Sequence, residues 1–303
     1  MSSVAAREKV YFVSGGERCA AWHYPGTNGA CLVMAGGLAV TKEPATDQFA
    51  ERFHRAGYSV LAFDYRHLGE SDGEPRQALR IDEQIADWHA AITRAAALPG
   101  VDPARVGAWA FSMSAGHLLE ASAAGGSLAA IILQTPFVGG LRAGRAATRH
   151  QSPLGLLRLL SLGVIDVVGG RFGRAPITVR LTGPRGAVAV LTTPDGQLGD
   201  QALNPGNRHP GWLQSVAARS TLLLLAYRPG RAAGRSQQPV LVVVCDDDQS
   251  TFTPATLEVA AQFPDAEVAH LPGGHYSPFL EAHEQAVARE LDFLDRRLLG
   301  GSR

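Results

Sequence analysis

The chain has 303 residues, of which 46% are hydrophobic and 18% are charged. This length and composition exclude global disorder and allow one large α/β domain, or a domain with a sizeable insertion. Basic and acidic residues number 28 each, a balance that argues against a nucleic-acid-binding or membrane-surface protein.

Cysteines and apolar runs bear on the cellular compartment. The three cysteines, Cys19, Cys31 and Cys245, lie far apart and show neither a disulfide framework nor metal-ligand spacing. The N-terminal residues lack the apolar core of a signal peptide. The most apolar long run, residues 152–170, is interrupted by an arginine and an aspartate. We therefore expect a cytoplasmic protein with no membrane contact.

Strand-like apolar runs alternate with helical periodicity along much of the chain. The predicted strands are residues 9–15, 19–25, 29–37, 58–66, 105–111, 128–135 and 238–246. The predicted helices between them include residues 45–57 and 80–98. Strands that are apolar on both faces and separated by helices indicate an α/β fold, with a mostly parallel central sheet and helices on both faces.

The alternation stops between residues 136 and 237. A leucine-rich stretch at 154–168 is followed by "ITVRLTGPRGAVAVL", predicted as a hairpin, and by a helix-like segment at 211–230. We interpret 136–237 as a cap inserted into a core made of residues 1–135 and 238–303.

The predicted cap is strongly basic. Residues 141–238 contain thirteen arginines against Asp166, Asp195 and Asp200. Salt bridges between cap and core are the favoured interpretation. The alternative is attraction of an anionic substrate, such as a phosphopantetheine carrier or a carboxylate.

The stretch "GAWAFSMSAGHLL" places a serine between a strand and a helix, the arrangement of a nucleophile elbow. Ser114, with Ser112 and Gly116 two residues away on either side, comes closer to the G-x-S-x-G pattern. Ser112 instead gives strand 105–111 an ordinary length and lets it end at the nucleophile. We predict Ser112 as the nucleophile and retain Ser114 as the alternative.

A serine hydroxyl needs a base that takes its proton. His275 follows two glycines in a loop and is predicted as that base, whereas His270 lies in a strand-like run and is predicted to be structural. The orienting acid comes from Asp246, Asp247 or Asp248, and Asp248 is chosen because it lies furthest past the strand end. The order Ser, Asp, His is that of the α/β-hydrolase arrangement.

A tetrahedral oxyanion requires two backbone donors. The N–H of Met113, directly after Ser112, is predicted as one, and that of Gly37 or its neighbour Leu38 as the other. The sequence has no zinc spacing, no phosphate-binding glycine loop and no dinucleotide fingerprint, so we expect no metal and no cofactor.

Several segments carry a family resemblance: "MAGGLAVTKE", "GYSVLAFDYRHLGESDGEPRQ", "GAWAFSMSAGH", "LLAYRPGR" and "GGHYSPF". Together they resemble a bacterial α/β-hydrolase subfamily related to serine aminopeptidase and X-Pro dipeptidyl peptidase-like hydrolases, and to fungal polyketide transferases. The resemblance implies an α/β-hydrolase fold, with Ser112 as nucleophile, Asp248 as acid and His275 as base. The sequence departs from the pattern at Ala110, at Ala115 and in an oxyanion loop that begins Ala35-Gly36.

We therefore expect a serine hydrolase that cleaves an ester or thioester through an acyl-enzyme. An acyltransferase that moves a polyketide-type acyl group to an alcohol or amine is one alternative, and a non-hydrolytic cyclase or binding protein with a capped cavity is another. The expected partner is a small-molecule or carrier-bound acyl substrate, with no nucleic acid. The sequence leaves a homodimer open.

Overall fold

Strands and helices alternate through a computed structural model that describes residues 7–125, 128–139 and 141–300. The strands are β1 Glu8–Ser14, β2 Glu17–Tyr24, β3 Cys31–Ala35, β4 Ser59–Phe63, β5 Val106–Phe111, β6 Ala130–Gln134, β7 Thr178–Thr182, β8 Ala189–Leu191, β9 Ser215–Ala217, β10 Val240–Cys245 and β11 Ala266–Leu271. The α-helices are α1 Lys42–Arg55, α2 Ile81–Ala96, α3 Met113–Ala123, α4 Leu141–Arg149, α5 Pro153–Arg171, α6 Gly199–Leu203, α7 Ala218–Leu224, α8 Thr253–Ala260 and α9 His283–Leu298. Short 3₁₀ helices cover Pro103–Arg105, Asp195–Leu198, Pro205–Asn207, Pro229–Arg235 and Ser277–Phe279.

An eight-stranded sheet has the order β1-β2-β4-β3-β5-β6-β10-β11. β2 pairs antiparallel with β1 and with β4, and all other neighbouring strands pair parallel. Helix α2 packs against α3, and α1 packs against α9. The predicted α/β-hydrolase fold with a mostly parallel sheet is therefore confirmed.

The central strands are buried along their whole length. Every residue of β3, β4, β5, β6 and β10 is inaccessible to solvent or nearly so. The edge strands β1 and β11 instead alternate buried and exposed positions. Parallel strands covered on both faces need apolar residues on both faces, which is why these runs carry no polar alternation.

Helix α1 begins at Lys42, three residues before the predicted start at residue 45. The N-cap residue Thr41 makes no side-chain capping hydrogen bond. The Lys42 N–H instead donates to Asp64 Oδ1 at 2.7 Å, from the residue that follows β4. An acceptor supplied by a distant strand satisfies the helix end, and local sequence cannot show such a partner.

The segment between β6 and β10 contains a second sheet with the order β8-β7-β9. The predicted hairpin over residues 177–191 is wrong, because β7 and β8 run parallel and β9 supplies the antiparallel neighbour of β7. The predicted helix over 211–230 is also wrong in its first part, since residues 215–217 form β9 before α7 begins. In both places pairing between distant residues overrides the local pattern. The boundaries of the cap as a domain stay a prediction.

Helix α5 is long and apolar enough to cross a membrane by length and composition, and it is the one such helix in the described ranges. Only 22% of the most apolar stretch of this helix is buried in the protein. Its aspartate, Asp166, is buried and accepts hydrogen bonds from Arg219 of α7. The ion pair attaches α5 to the rest of the cap, and the expected lack of membrane contact stays a prediction.

Glu290 of α9 generates a prediction for stability. Its carboxyl group is fully buried, accepts a hydrogen bond from Trp109 Nε1 at 3.1 Å, and has a pKa that burial raises well above the usual range. The unfolded chain ionises this group near its usual pKa, so the free energy of unfolding falls by about 1.4 kcal/mol per pH unit between the two pKa values. Glu290→Gln removes that dependence. We expect thermal unfolding to show a gain in Tm for the variant that is larger at pH 7 than at pH 4; an equal difference at both pH values would contradict a neutral Glu290.

Candidate active site

Ser112 lies in a sharp turn between β5 and α3. Its backbone has φ 55° and ψ −118°, a region that non-glycine residues rarely adopt. The Ser112 N–H donates to Gln134 O at 3.0 Å, and Ser112 O accepts from Phe137 N at 2.9 Å. Hydrogen bonds to the neighbouring strand end thus hold the strained residue, as strain at a functional site requires.

Small residues after Ser112 let α3 approach its surroundings closely. A Cβ atom on Gly116 would lie 2.7 Å from Phe137 O and 2.8 Å from Pro229 Cγ. The first turn of α3 therefore has no room for a side chain at this position. These two contacts are the physical reason for a glycine at this position.

The structure brings Ser112, Asp248 and His275 together at the carboxyl ends of β5, β10 and β11. His275 Nε2 lies 3.0 Å from Ser112 Oγ, and His275 Nδ1 lies 2.8 Å from Asp248 Oδ2. The side chains of His275 and Asp248 are 1% and 2% exposed. A carboxylate only accepts, so Nδ1 carries the proton and Nε2 is left to accept from the serine hydroxyl.

Asp248 is held by more than the imidazole. Thr251 donates to it twice, from its N–H to Oδ1 at 2.8 Å and from its hydroxyl to Oδ2 at 2.7 Å. The neighbouring carboxylates lie elsewhere: Asp246 pairs with His270 on the exposed surface, and Asp247 is exposed. Of the three candidate acids, Asp248 is therefore the one in contact with His275.

His275 has a raised pKa. Burial by itself lowers it, but the negative charges of Asp248 and Asp195 outweigh burial. Asp195 belongs to the segment between β6 and β10, and its Oδ2 accepts from the His275 N–H at 3.2 Å. Sequence reasoning counted Asp195 only as one of three acidic residues in a basic segment and missed its place at the site. The one sequence feature that sets Asp195 apart is that it is one of only three acidic residues in this basic segment.

Ser114 points into a separate polar cluster. It is 1% exposed, and its hydroxyl is hydrogen-bonded to Tyr65 Oη. The ring of Tyr65 contacts that of His117, whose Nδ1 lies 3.0 Å from Tyr227 Oη. Burial lowers the pKa of His117 to about 3, so this imidazole is neutral. The Ser114 hydroxyl is thus bonded to a buried phenol, whereas the Ser112 hydroxyl lies 3.0 Å from His275 Nε2.

The predicted oxyanion loop lies against the elbow. A Cβ atom on Gly37 would lie 3.2 Å from Ser112 Cβ, so the loop approaches the serine as closely as a glycine allows. Leu38, rather than Gly37, lines a cavity together with Ser112 and Met113. Trp212, from the segment between β6 and β10, donates from Nε1 to Ala39 O at 2.9 Å and holds the loop two residues after Gly37.

A buried lysine anchors the chain directly after that loop. Lys42 is 1% exposed, and its Nζ donates to Asp64 Oδ2 at 2.8 Å and to Glu70 Oε2 at 2.7 Å. Three carboxylates compensate the buried charge, since Glu43 Oε1 also lies 3.4 Å from Nζ, and Asp64 in addition accepts from the Lys42 backbone N–H. This ion pair ties the loop between β3 and α1 to the end of β4.

Two cavities meet at Ser112. The larger has a volume of about 390 Å³ and extends between α4, α5 and α7, with mostly apolar lining that includes Phe137, Leu159 and Leu224. The smaller has a volume of about 20 Å³ and is bounded by Trp212 and Tyr276, among others. The larger is of the size of a small-molecule site, and the smaller has room for roughly one water.

Some arginines of the segment between β6 and β10 form ion pairs, and others line the larger cavity. Arg219 pairs with Asp166 inside the cap, and Arg235 lies 3.5 Å from Glu120 of α3. Arg145 and Arg228 line the larger cavity. The expected salt bridging from cap to core thus accounts for only part of the basic charge.

One group of potential metal ligands occurs in the described part of the chain. Ligand atoms of Glu17, His67 and Glu83 lie within 4.8 Å of one another. The guanidinium of Arg66 already lies 3.7 Å from Glu83 and 4.0 Å from Glu17. Because Glu83 is already hydrogen-bonded to His67 at 2.7 Å and lies beside Arg66, we assign no metal to this group.

Comparison with known proteins identifies the class. The α/β hydrolase family matches residues 25–290, and the chain belongs to that family of enzymes. The quorum-quenching protein AidA of Acinetobacter baumannii is 40% identical over 95% of this chain and 94% of its own length. A polyketide transferase of Stachybotrys chlorohalonatus is 29% identical over 98% and 99%. The crystal structure of the α/β hydrolase GrgF from Penicillium sp. sh18 shares the fold, with a TM-score of 0.79 at 23% identity over 97% of this chain and 99% of that one.

The different surroundings of the two serines generate a prediction. Ser114→Ala leaves the buried Tyr65 hydroxyl without its partner, which costs about 1–3 kcal/mol in the free energy of unfolding. Ser112 is only partly buried and lines the larger cavity together with His275, so water can replace its hydroxyl at His275 Nε2, and Ser112→Ala costs less than about 1 kcal/mol. Urea unfolding of both variants measures the difference. Equal losses would contradict a structural role for Ser114.

Proposed function

We propose that this enzyme is a serine hydrolase that cleaves an ester or thioester through an acyl-enzyme on Ser112. The observation that carries the proposal is the continuous chain of contacts from Asp248 to His275 to Ser112, at 2.8 Å and 3.0 Å. A hydroxyl on a strained turn, a neutral imidazole acceptor and a buried carboxylate are what nucleophilic acyl transfer requires.

In the first half-reaction Ser112 Oγ attacks the substrate carbonyl carbon while His275 Nε2 takes the hydroxyl proton. The tetrahedral intermediate collapses, the bond to the leaving alcohol or thiol breaks, and His275 returns the proton to that leaving group. In the second half-reaction a water gives its proton to His275 and attacks the acyl-enzyme, and Ser112 recovers the proton as the acid departs. Asp248 stabilises the imidazolium in both halves.

The N–H groups of Met113 and Leu38 are the proposed oxyanion donors. Both residues line the larger cavity together with Ser112. Gly37 is the alternative second donor, and a Cβ atom at its position would lie 3.2 Å from Ser112 Cβ. Its proposed role is to let the loop approach closely enough for the next N–H to reach the oxyanion.

The proposed substrate carries an apolar acyl chain. The cavity of about 390 Å³ has room for such a chain, whereas the cavity of about 20 Å³ does not. Arg145 and Arg228 in the lining support an anionic partner, either a carrier-bound acyl group with its phosphate or a small acyl molecule that bears a carboxylate.

Acyl transfer is the second candidate. The likeness to a polyketide transferase over 98% of the chain supports it, and so does a lid over the site, which limits competition by water. The same acyl-enzyme would then react with an alcohol or amine. Product analysis with and without such an acceptor separates transfer from hydrolysis.

Further expectations from the sequence remain proposals. We propose the division into a core of 1–135 and 238–303 and a cap of 136–237, and a cytoplasmic location without nucleic-acid or membrane partners. A relation to serine aminopeptidase and X-Pro dipeptidyl peptidase-like hydrolases is also proposed, and a homodimer stays open.

A fluorophosphonate probe tests the nucleophile, because it labels only an activated serine. We expect labelling of the wild type and of Ser114→Ala, no labelling of Ser112→Ala, and a loss of esterase activity of about 10⁴-fold or more in Ser112→Ala and His275→Ala. An unlabelled wild type would refute the hydrolase and support the cyclase or binding protein. Labelling of Ser112→Ala would show that a residue other than Ser112 is the nucleophile.

A cavity-filling substitution tests the acyl site. Leu160 lines the larger cavity, whereas Leu157 on the same helix is 61% exposed. We expect Leu160→Trp to lower kcat/KM for p-nitrophenyl octanoate about tenfold or more while acetate hydrolysis changes little, because the larger ring occupies the acyl space. Leu157→Trp is the matched control and leaves both rates unchanged. Equal losses for both esters would place the acyl chain outside this cavity.

A further inference from the structure

Asp195 is a buried carboxylate contributed by the segment between β6 and β10. It begins the 3₁₀ helix that follows β8. Its Oδ2 accepts from three backbone groups, Gln249 N–H at 2.8 Å, Ser250 N–H at 3.3 Å and His275 N–H at 3.2 Å. Its Oδ1 accepts from the Ser250 hydroxyl at 3.0 Å.

These partners belong to the two loops that carry the acid and the base. Gln249 and Ser250 directly follow Asp248 after β10, and His275 lies in the loop after β11. One side chain thus holds both loops by their backbones. A carboxylate suits this task because each of its oxygens has two lone pairs and can accept more than one hydrogen bond.

The loop that carries His275 passes so close to Asp195 that the residue before His275 must be a glycine. A Cβ atom on Gly274 would lie 2.7 Å from Asp195 Cβ. The loop after β11 therefore reaches Asp195 only because residue 274 has no side chain. Thr193 adds a further contact, since its hydroxyl lies 2.7 Å from that of Ser250.

Asp195 is ionised in this environment. Burial raises the pKa of Asp195. The charge of His275 and the hydrogen bonds donated to the carboxylate lower that pKa by more than burial raises it, so the net pKa lies below the usual value. Within the described ranges no lysine or arginine forms an ion pair with it. The charge is compensated by backbone N–H groups and is available to act on the neighbouring imidazole.

We propose that Asp195 is a positioning residue of the catalytic site: a second carboxylate, supplied by the inserted segment, that holds the Asp248 and His275 loops in register and stabilises the imidazolium. The inference rests on the proposed hydrolase function. It makes the inserted segment part of the catalytic apparatus and not only a cover over the substrate.

The first test compares Asp195→Asn and Asp195→Ala with the wild type, using an ester that the wild type cleaves. Asparagine keeps the shape, can accept from the backbone with its oxygen and donate to Ser250, but removes the charge. Because His275 must be neutral to act as base, the acidic limb of kcat/KM follows its pKa. We expect that limb to move to lower pH in Asp195→Asn, with a plateau reduced about tenfold. Asp195→Ala loses about 100-fold in kcat with less than threefold change in KM, since both loops are released.

Three titratable groups lie around His275, and Asp195→Asn changes the charge of only one of them. Asp248 contacts the ring, Asp195 contacts the backbone, and the neutral phenol of Tyr276 packs against the ring at 4.9 Å. Asp166→Asn is the matched control, because Asp166 is the other buried aspartate of the cap and pairs with Arg219 instead. This control lowers Tm but leaves the acidic limb in place.

A second measurement does not need turnover. In the Ser112→Ala background, NMR titration of the His275 ring protons gives its pKa directly, and we expect a lower value when Asp195→Asn is added. An unchanged pKa together with unchanged kcat in Asp195→Asn overturns the inference. An unlabelled wild type in the fluorophosphonate experiment refutes the hydrolase instead, so the two failures are distinguishable.

Discussion

The hydrogen bond between His275 Nδ1 and Asp248 Oδ2, at 2.8 Å, is the contact on which the remainder of the site depends. It fixes the tautomer of a buried imidazole and so decides that Nε2 accepts from Ser112. Both partners are nearly inaccessible to water, which strengthens their interaction and makes an unpaired charge costly. The proposed chemistry therefore requires that two loops be held in one arrangement.

The parallel sheet supplies most of that arrangement. Because the carboxyl ends of β5, β10 and β11 lie at one edge, the residues that follow them converge although Ser112 and His275 are 163 residues apart. The ion pair of Lys42 with Asp64 anchors the proposed oxyanion loop at the same edge. The segment between β6 and β10 contributes Trp212, which donates to the proposed oxyanion loop, and Asp195, which accepts from the loops of the candidate acid and base.

Local patterns predicted the sheet well and the insertion poorly. The apolar runs of β3 to β6 and β10 are buried on both faces, so hydrophobicity alone identifies them. The short strands β7, β8 and β9 form through pairing with one another, and their sequences resemble a hairpin and a helix instead. The start of α1 was missed for the same kind of reason, since its cap is a carboxylate from the end of β4.

The sequence by itself determined the class of fold and limited the candidate nucleophile, acid and base to a few residues, because these depend on apolar periodicity and on residue order along the chain. Only the tertiary structure gives the two serines their different surroundings, a strained backbone beside His275 for Ser112 and a buried partner, Tyr65, for Ser114. Only the tertiary structure brought Asp195 to His275 and Leu38 to the cavity. Contacts between residues far apart in the chain have no local signature, because they form where separately folded segments meet.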